Sequence, residues 1–318
     1  MTSRQVSALL ITAAIWGGSF LYIRVLVDAG TEATGVAAIR AAVGAVTLLP
    51  FAYFSCRLLP RDTRTWLAIF ALGILNFAAP WTLIALGQEH IPSGVASIVN
   101  SALPFWTAIF TVLLVRSERL GTVQVVGLLV GFSGVVALLG SDLGDLRGDA
   151  ARGIGFMLVS TALYGLASVI IRRWLTHVTP VALTIGQVGF ASLFLVPISF
   201  AANAYDDAEF GIAEVSSGLA LGALSSGIAV ILFMWLIAQV GAVRASVVTY
   251  LMPPIGVFLG WAVLSEPIGW NLVAGLVLIA SGVALVQGLP GLGPRLRVRP
   301  APAVQSPSEP RQPVAPRE

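Results

Sequence analysis

The chain has 318 residues, 57% hydrophobic and only 10% charged, with a formal charge of +3 and a mean hydropathy of +0.91. This composition lies outside the range of water-soluble domains, so the solvent for most of the chain is lipid. The basic residues are all arginine and sit mainly in loops and a C-terminal tail, which excludes the basic globular face that a nucleic-acid partner would need.

Scanning from the N-terminus for apolar runs of about 20 residues, the length that crosses the hydrocarbon layer, gives ten expected helices. They lie at 7–27, 34–54, 66–86, 92–115, 122–140, 153–172, 180–200, 217–237, 242–264 and 268–288. The first run lacks a small-residue cleavage site and reads as a retained helix rather than a signal peptide. Thirty-three glycines suit helices that must approach closely without a hydrophobic drive between them. After Gly291 the chain turns into a Pro- and Arg-rich segment that cannot bury enough apolar surface to fold, so 291–318 reads as a disordered cytoplasmic tail. Cys56 is the single cysteine, and His90 and His177 have no cysteine near them in sequence, so neither a disulfide nor a metal-ligand spacing is present. No metal and no cofactor is expected.

Arginine placement sets the expected orientation, because basic residues of short loops stay in the cytoplasm. With the N-terminus inside, Arg4, Arg57, Arg61, Arg64, Arg116, Arg119, Arg172, Arg173, Arg244 and five tail arginines are cytoplasmic, and only Arg147 and Arg152 are outside. Both termini are therefore expected in the cytoplasm, in a multi-pass protein of a bacterial-type inner membrane.

The two halves repeat. Glu118 matches Glu266, Gly127 matches Gly275 and Gly134 matches Gly282 at a spacing of 148, and Pro104 matches Pro253 at 149. TALYG at 161–165 falls on AAIWG at 13–17. The expected units are a first repeat at 1–140, an outer connecting loop at 141–152, a second repeat at 153–290 and the tail. Five helices per unit send the second copy into the membrane from the opposite side. That makes an all-α integral membrane protein of ten transmembrane helices in two inverted repeats, an architecture that places a binding site near the midplane.

At these prolines, glutamates and glycines, with Trp16, Gly17 and Arg40 added, the chain resembles the EamA-type family of the drug/metabolite transporter superfamily. The resemblance spans both copies of the domain, with one extra residue between Pro104 and Glu118. It implies a ten-helix carrier without a cofactor that exports amino acids, other metabolites or drugs by alternating access. The substrate itself is set by the cavity, not the framework.

Several polar and aromatic residues fall inside the apolar runs. Ser93, Ser97, Asn100 and Pro104 share one helical face, and Ala242, Ser246, Thr249 and Pro253 repeat the pattern. Asn100 and Thr249 are the expected cavity floor, while for the serines plain bonding to backbone carbonyls is the expectation. Arg40 is an intramembrane cation and so a functional residue by default. It either holds a substrate carboxylate, with Gln187 as a neutral partner, or locks the second helix to backbone carbonyls. Asn76 is a further cavity candidate. Trp16 and Tyr164 are repeat-related and form an expected pair of aromatic walls, with Tyr250 alongside. Trp81, Trp106 and Trp235 read as packing or lipid-facing residues. Arg24 lies near a helix end where it can snorkel.

Glu118 and Glu266, with Pro104 and Pro253, mark helix ends that either gate the two sides or simply cap helices, and capping is the expectation. No acidic residue sits deep in a helix, so exchange or facilitated movement fits as well as coupling to an ion or counter-substrate. Expected partners are a small-molecule substrate and the lipid bilayer. The glycine spacings at Gly127, Gly131 and Gly134 and at Gly218 and Gly222 suit packing within one protomer, with a homodimer through the fifth and tenth helices as the other option. A membrane enzyme, or a channel or structural subunit, are the competing functional readings.

Overall fold

The computed structural model describes residues 1–54, 59–115, 121–139, 148–240, 245 and 248–287. Among these, all regular structure is helical: α1 (Ser3–Asp28), α2 (Ala33–Phe54), α3 (Thr63–Gly73), α4 (Ala79–His90), α5 (Ser93–Asn100), α6 (Leu103–Leu114), α7 (Thr122–Leu139), α8 (Asp149–Trp174), α9 (Pro180–Ala201), α10 (Ile212–Leu219), α11 (Ala229–Val240), α12 (Val248–Leu264) and α13 (Trp270–Gln287). Two wide-turn π segments, π1 (Ile74–Ala78) and π2 (Ala220–Ile228), join α3 to α4 and α10 to α11. Seven helical spans are long and apolar enough to cross a bilayer, one of them, Ser93–Leu114, interrupted by a turn, and three shorter apolar helices, Thr122–Leu138, Val248–Leu264 and Trp270–Val286, accompany them. The chain is a multi-pass membrane protein.

Local chemistry explains where the helices depart from the simple runs. The run at 92–115 does not form one helix: α5 ends at Asn100, Ser101 and Ala102 form a turn, and α6 starts at Leu103. Pro104 has no N–H to give to the Asn100 carbonyl, and its ring crowds that carbonyl, so the ladder breaks there. Pro50, Pro197, Pro253 and Pro254 are instead carried inside α2, α9 and α12. At the start of the chain Thr2 and Gln5 form a reciprocal capping box on α1.

Packing is mostly between the halves of the chain. α1 lies against α11 and α12, α8 lies against α4 and α6, α2 pairs with α9, and α7 pairs with α13. The partners are exchanged between halves, since the first helix of each copy packs on the third and fourth helices of the other. Glycine makes the closest of these approaches. A Cβ on Gly282 would stand 2.5 Å from the Gly131 nitrogen and 2.6 Å from the Gly127 carbonyl oxygen, and one on Gly134 would stand 2.8 Å from the Ile279 nitrogen. The glycine stripe of α7 is thus used inside one chain, against α13. Gly222 and Gly44 do the same for π2 and α2, where added Cβ atoms would lie 2.3 Å from Val43 and 2.9 Å from Ser226.

Candidate functional site

The two π segments stand at equivalent places, since Asn76 and Ser225 are 149 residues apart. A π turn inserts a residue, frees carbonyls and is often found at functional sites. Here the freed backbone is used at once: the Trp16 indole N–H donates to the Ser225 carbonyl at 2.9 Å. The equivalent wall on the other side is apolar, with Phe77 and Trp81 packed ring to ring at 4.9 Å.

Between these walls lies a central cavity of about 200 Å³. Both halves of the chain build it. Trp16, Ser19, Arg40, Phe77, Trp81, Ser97, Asn100 and Pro104 come from the first, and Tyr164, Ser225, Ser226, Val230, Thr249 and Met252 from the second.

Arg40 is its dominant charge. The residue is 9% exposed, its Nε–H donates to Ser226 Oγ at 3.0 Å, and its Cζ stands 4.5 Å above the Trp81 ring. Tyr164 lies beside both Arg40 and Trp81. Cation–π contact with a desolvated tryptophan is worth about 2 kcal/mol, and a hydrogen bond from a charged donor about 1.5–3 kcal/mol. Together these hold a guanidinium in place in a setting where an isolated cation would be costly.

Of the residues expected at the site, Trp16, Arg40, Asn100, Pro104, Tyr164 and Thr249 line the cavity. Asn76 and Gln187 do not. They bond to each other, Asn76 Nδ2–H donating to Gln187 Oε1 at 2.9 Å, so Gln187 is the partner of Asn76 rather than of Arg40. That pair is the neutral counterpart of the Arg40–Ser226 pair, in each case joining the second helix of one half to the π segment of the other. Tyr250 also lies off the lining, part-buried against the main apolar cluster. Pro253 is buried beside the cavity, where its carbonyl accepts from Ser97 Oγ at 3.4 Å.

Glu266 turns out to cap a helix of the other half. Its two carboxylate oxygens accept the Ser93 and Gly94 backbone N–H groups at 2.7 and 3.0 Å, satisfying the first donors of α5. Ser265 reaches this position with φ of 55°. Glu118, with Ala242 and Ser246, lies outside the described residues. Arg24, read from sequence as a snorkelling residue, bridges Asp28 at 2.9 Å and the Gln88 carbonyl. The sequence reading missed Trp81, Phe77, Ser225 and Ser226 as cavity residues. The only signal was the repeat offset that pairs Asn76 with Ser225.

A cavity built from both halves of an all-helical membrane chain is the setting in which comparison with other proteins is informative. The model of the EamA-like transporter family matches residues 4–140 and again 151–287. The chain belongs to the EamA-like transporter family. Its relatives are transporters. An uncharacterised transporter of Archaeoglobus fulgidus is 26% identical over 87% of this chain and 96% of its own length. An uncharacterised transporter of Bacillus subtilis is 23% identical over 77% of this chain and 84% of its own. A probable terminal-alkyne amino-acid exporter of Streptantibioticus cattleyicolor is 26% identical over 89% and 93%. A solved crystal structure shares the fold at a TM-score of 0.60 and 19% identity, covering 90% of this chain and 96% of that one. In this EamA-like protein each half matched by the family model contributes one π segment to the cavity, while the aromatic lining is Trp16, Phe77 and Trp81 from the first half and Tyr164 from the second.

Proposed function

We propose that this protein is a secondary carrier that moves a small metabolite, amino acid or drug across the bacterial inner membrane, working as an exporter by alternating access. The observation that carries the reading is the central cavity shared by both halves and centred on a buried arginine. Partner exchange between the halves supports two inverted five-helix repeats making ten spans, with units at 1–140 and 153–290, because inverted repeats rock against each other around a fixed midplane site. The arginine distribution supports both termini in the cytoplasm. The exporter named among the relatives supports outward movement of a small metabolite. The cavity lining holds no carboxylate among the described residues, so exchange or facilitated movement accounts for turnover as well as proton antiport does.

The test is flux in proteoliposomes made with the full chain. Saturable uptake or exchange of labelled small metabolites above empty vesicles, abolished when Thr249→Trp fills the cavity without loss of thermal stability, is the expected result. Flux that rises linearly with concentration, as through a pore, or flux untouched by the cavity-filling change, contradicts the carrier.

A further inference from the structure

The cavity holds a charge that no described residue neutralises. A guanidinium carries five N–H donors, yet among the described residues Arg40 makes one hydrogen bond, from Nε–H to Ser226 Oγ. The ion pairs seen among the described residues do not involve Arg40. Four donors in the planar fork that matches a carboxylate remain on a side chain that lines the cavity. A second group in the same lining is also unspent: Asn100 Oδ1 is buried and accepts no hydrogen bond from any described residue. Leaving a buried acceptor unpaired is unfavourable, and a ligand donor removes that penalty.

Resting on the carrier reading, we propose that the cavity is a receptor for a small organic carboxylate that bears a hydrogen-bond donor. The carboxylate pairs with the terminal nitrogens of Arg40, the donor reaches Asn100 Oδ1, and the apolar body lies against Trp16, Phe77 and Trp81. An organic cation without an acid group is repelled by Arg40. A phosphate dianion calls for a second cation, and Arg40 is the only one in the described lining. A volume of about 200 Å³ suits a ligand of a few heavy atoms around one branched or aromatic side chain.

The test uses the purified full chain and four probes of one carbon skeleton: leucine, 2-hydroxyisocaproate, isocaproate and leucinamide. Binding is read from tryptophan fluorescence, since Trp16 and Trp81 line the cavity, and flux is read in proteoliposomes. The 2-amino or the 2-hydroxy acid binds at least tenfold more tightly than the amide, and the winner of that pair identifies the donor as ammonium or hydroxyl. Arg40→Gln weakens the acids about ten- to hundredfold and does not weaken the amide, whose ammonium Arg40 repels, as expected for a charge-assisted pair. Arg40→Lys recovers part of the loss. Asn100→Leu removes the advantage of the donor-bearing acids over isocaproate and leaves isocaproate itself unaffected. The proposal is overturned if the amide binds as well as the acids, if Arg40→Gln weakens all four alike, or if no acid binds. Selective acid binding without flux above empty vesicles keeps the anion receptor and removes the carrier. Flux of the amide equal to that of the acids keeps the carrier and removes the receptor.

Discussion

Glu266→Ala separates a helix cap from a spectator at the loop between α12 and α13. The wild-type carboxylate accepts two backbone N–H groups of α5, at 2.7 and 3.0 Å, and sits at the positive end of that helix. Hydrogen bonds to a charged acceptor are worth about 1.5–3 kcal/mol each, and the helix end adds about 0.3–1 kcal/mol. The side chain is only part-buried and the two bonds share one anion, so the truncation should cost about 2–3 kcal/mol. That corresponds to about 30- to 150-fold faster exchange of the Ser93 and Gly94 amides. Hydrogen–deuterium exchange in detergent reads this directly, at the start of the helix that carries Ser97 and Asn100 into the cavity. Glu266→Gln keeps one good acceptor and should lose about half as much. Gly260→Ala should resemble Glu266→Ala, because its Cβ would stand 2.3 Å from Glu266 Oε2 and 2.8 Å from Ser93 Oγ, pushing the carboxylate off the cap. Amide exchange at Ser93 and Gly94 that changes less than twofold in Glu266→Ala would refute the reasoning.

Three further outcomes follow from the packing and the caps. Gly282→Ala should destabilise the detergent-solubilised protein by about 1–3 kcal/mol, because the methyl meets backbone of α7 that cannot rotate away. Gly155→Ala, where nothing lies within 4 Å, should be neutral or mildly stabilising in the same thermal-unfolding assay. Asp62 caps α3 by accepting the Thr65 N–H at 2.8 Å, and that backbone bond, followed by the Thr65 hydroxyl, holds its carboxyl below the ordinary carboxylate value. Its contribution is therefore complete above a pH of about 3.9 and fades as pH falls through the lower folded value. Asp62→Asn, which keeps a capping oxygen, should flatten that part of the acid-unfolding curve and leave neutral-pH stability nearly unchanged.

The apolar runs and the repeat offset made much of the fold legible. Trp16, Arg40, Asn100, Tyr164 and Thr249, chosen from repeat position and polarity, meet in one cavity, and the first four lie on helices whose register is regular up to that residue. The misses come from irregular backbone. One extra residue in a π turn rotates the following side chains by about 100° relative to an α-helix. That is why Trp81, three residues after π1, faces Arg40 instead of lipid, while Asn76, within π1, turns to Gln187. Nothing in the string ILNFA distinguishes a π segment from an α turn. Ser226 is likewise an ordinary serine until π2 brings it to Arg40. Glu266 was legible as a helix-end residue, but its target belongs to the other half, and only the packed structure names Ser93 and Gly94.

Alternating access of the central cavity is the claim on which the functional account stands, and Met252 offers a direct probe of it from within the lining. In a background where Cys56, the single cysteine, is replaced by serine, Met252→Cys can be exposed to a membrane-impermeant maleimide from one side of sealed proteoliposomes at a time. The account predicts labelling from either side added alone, with no passage of the reagent to a thiol trap on the far side. Labelling from one side only, or consumption of the trap, would contradict it.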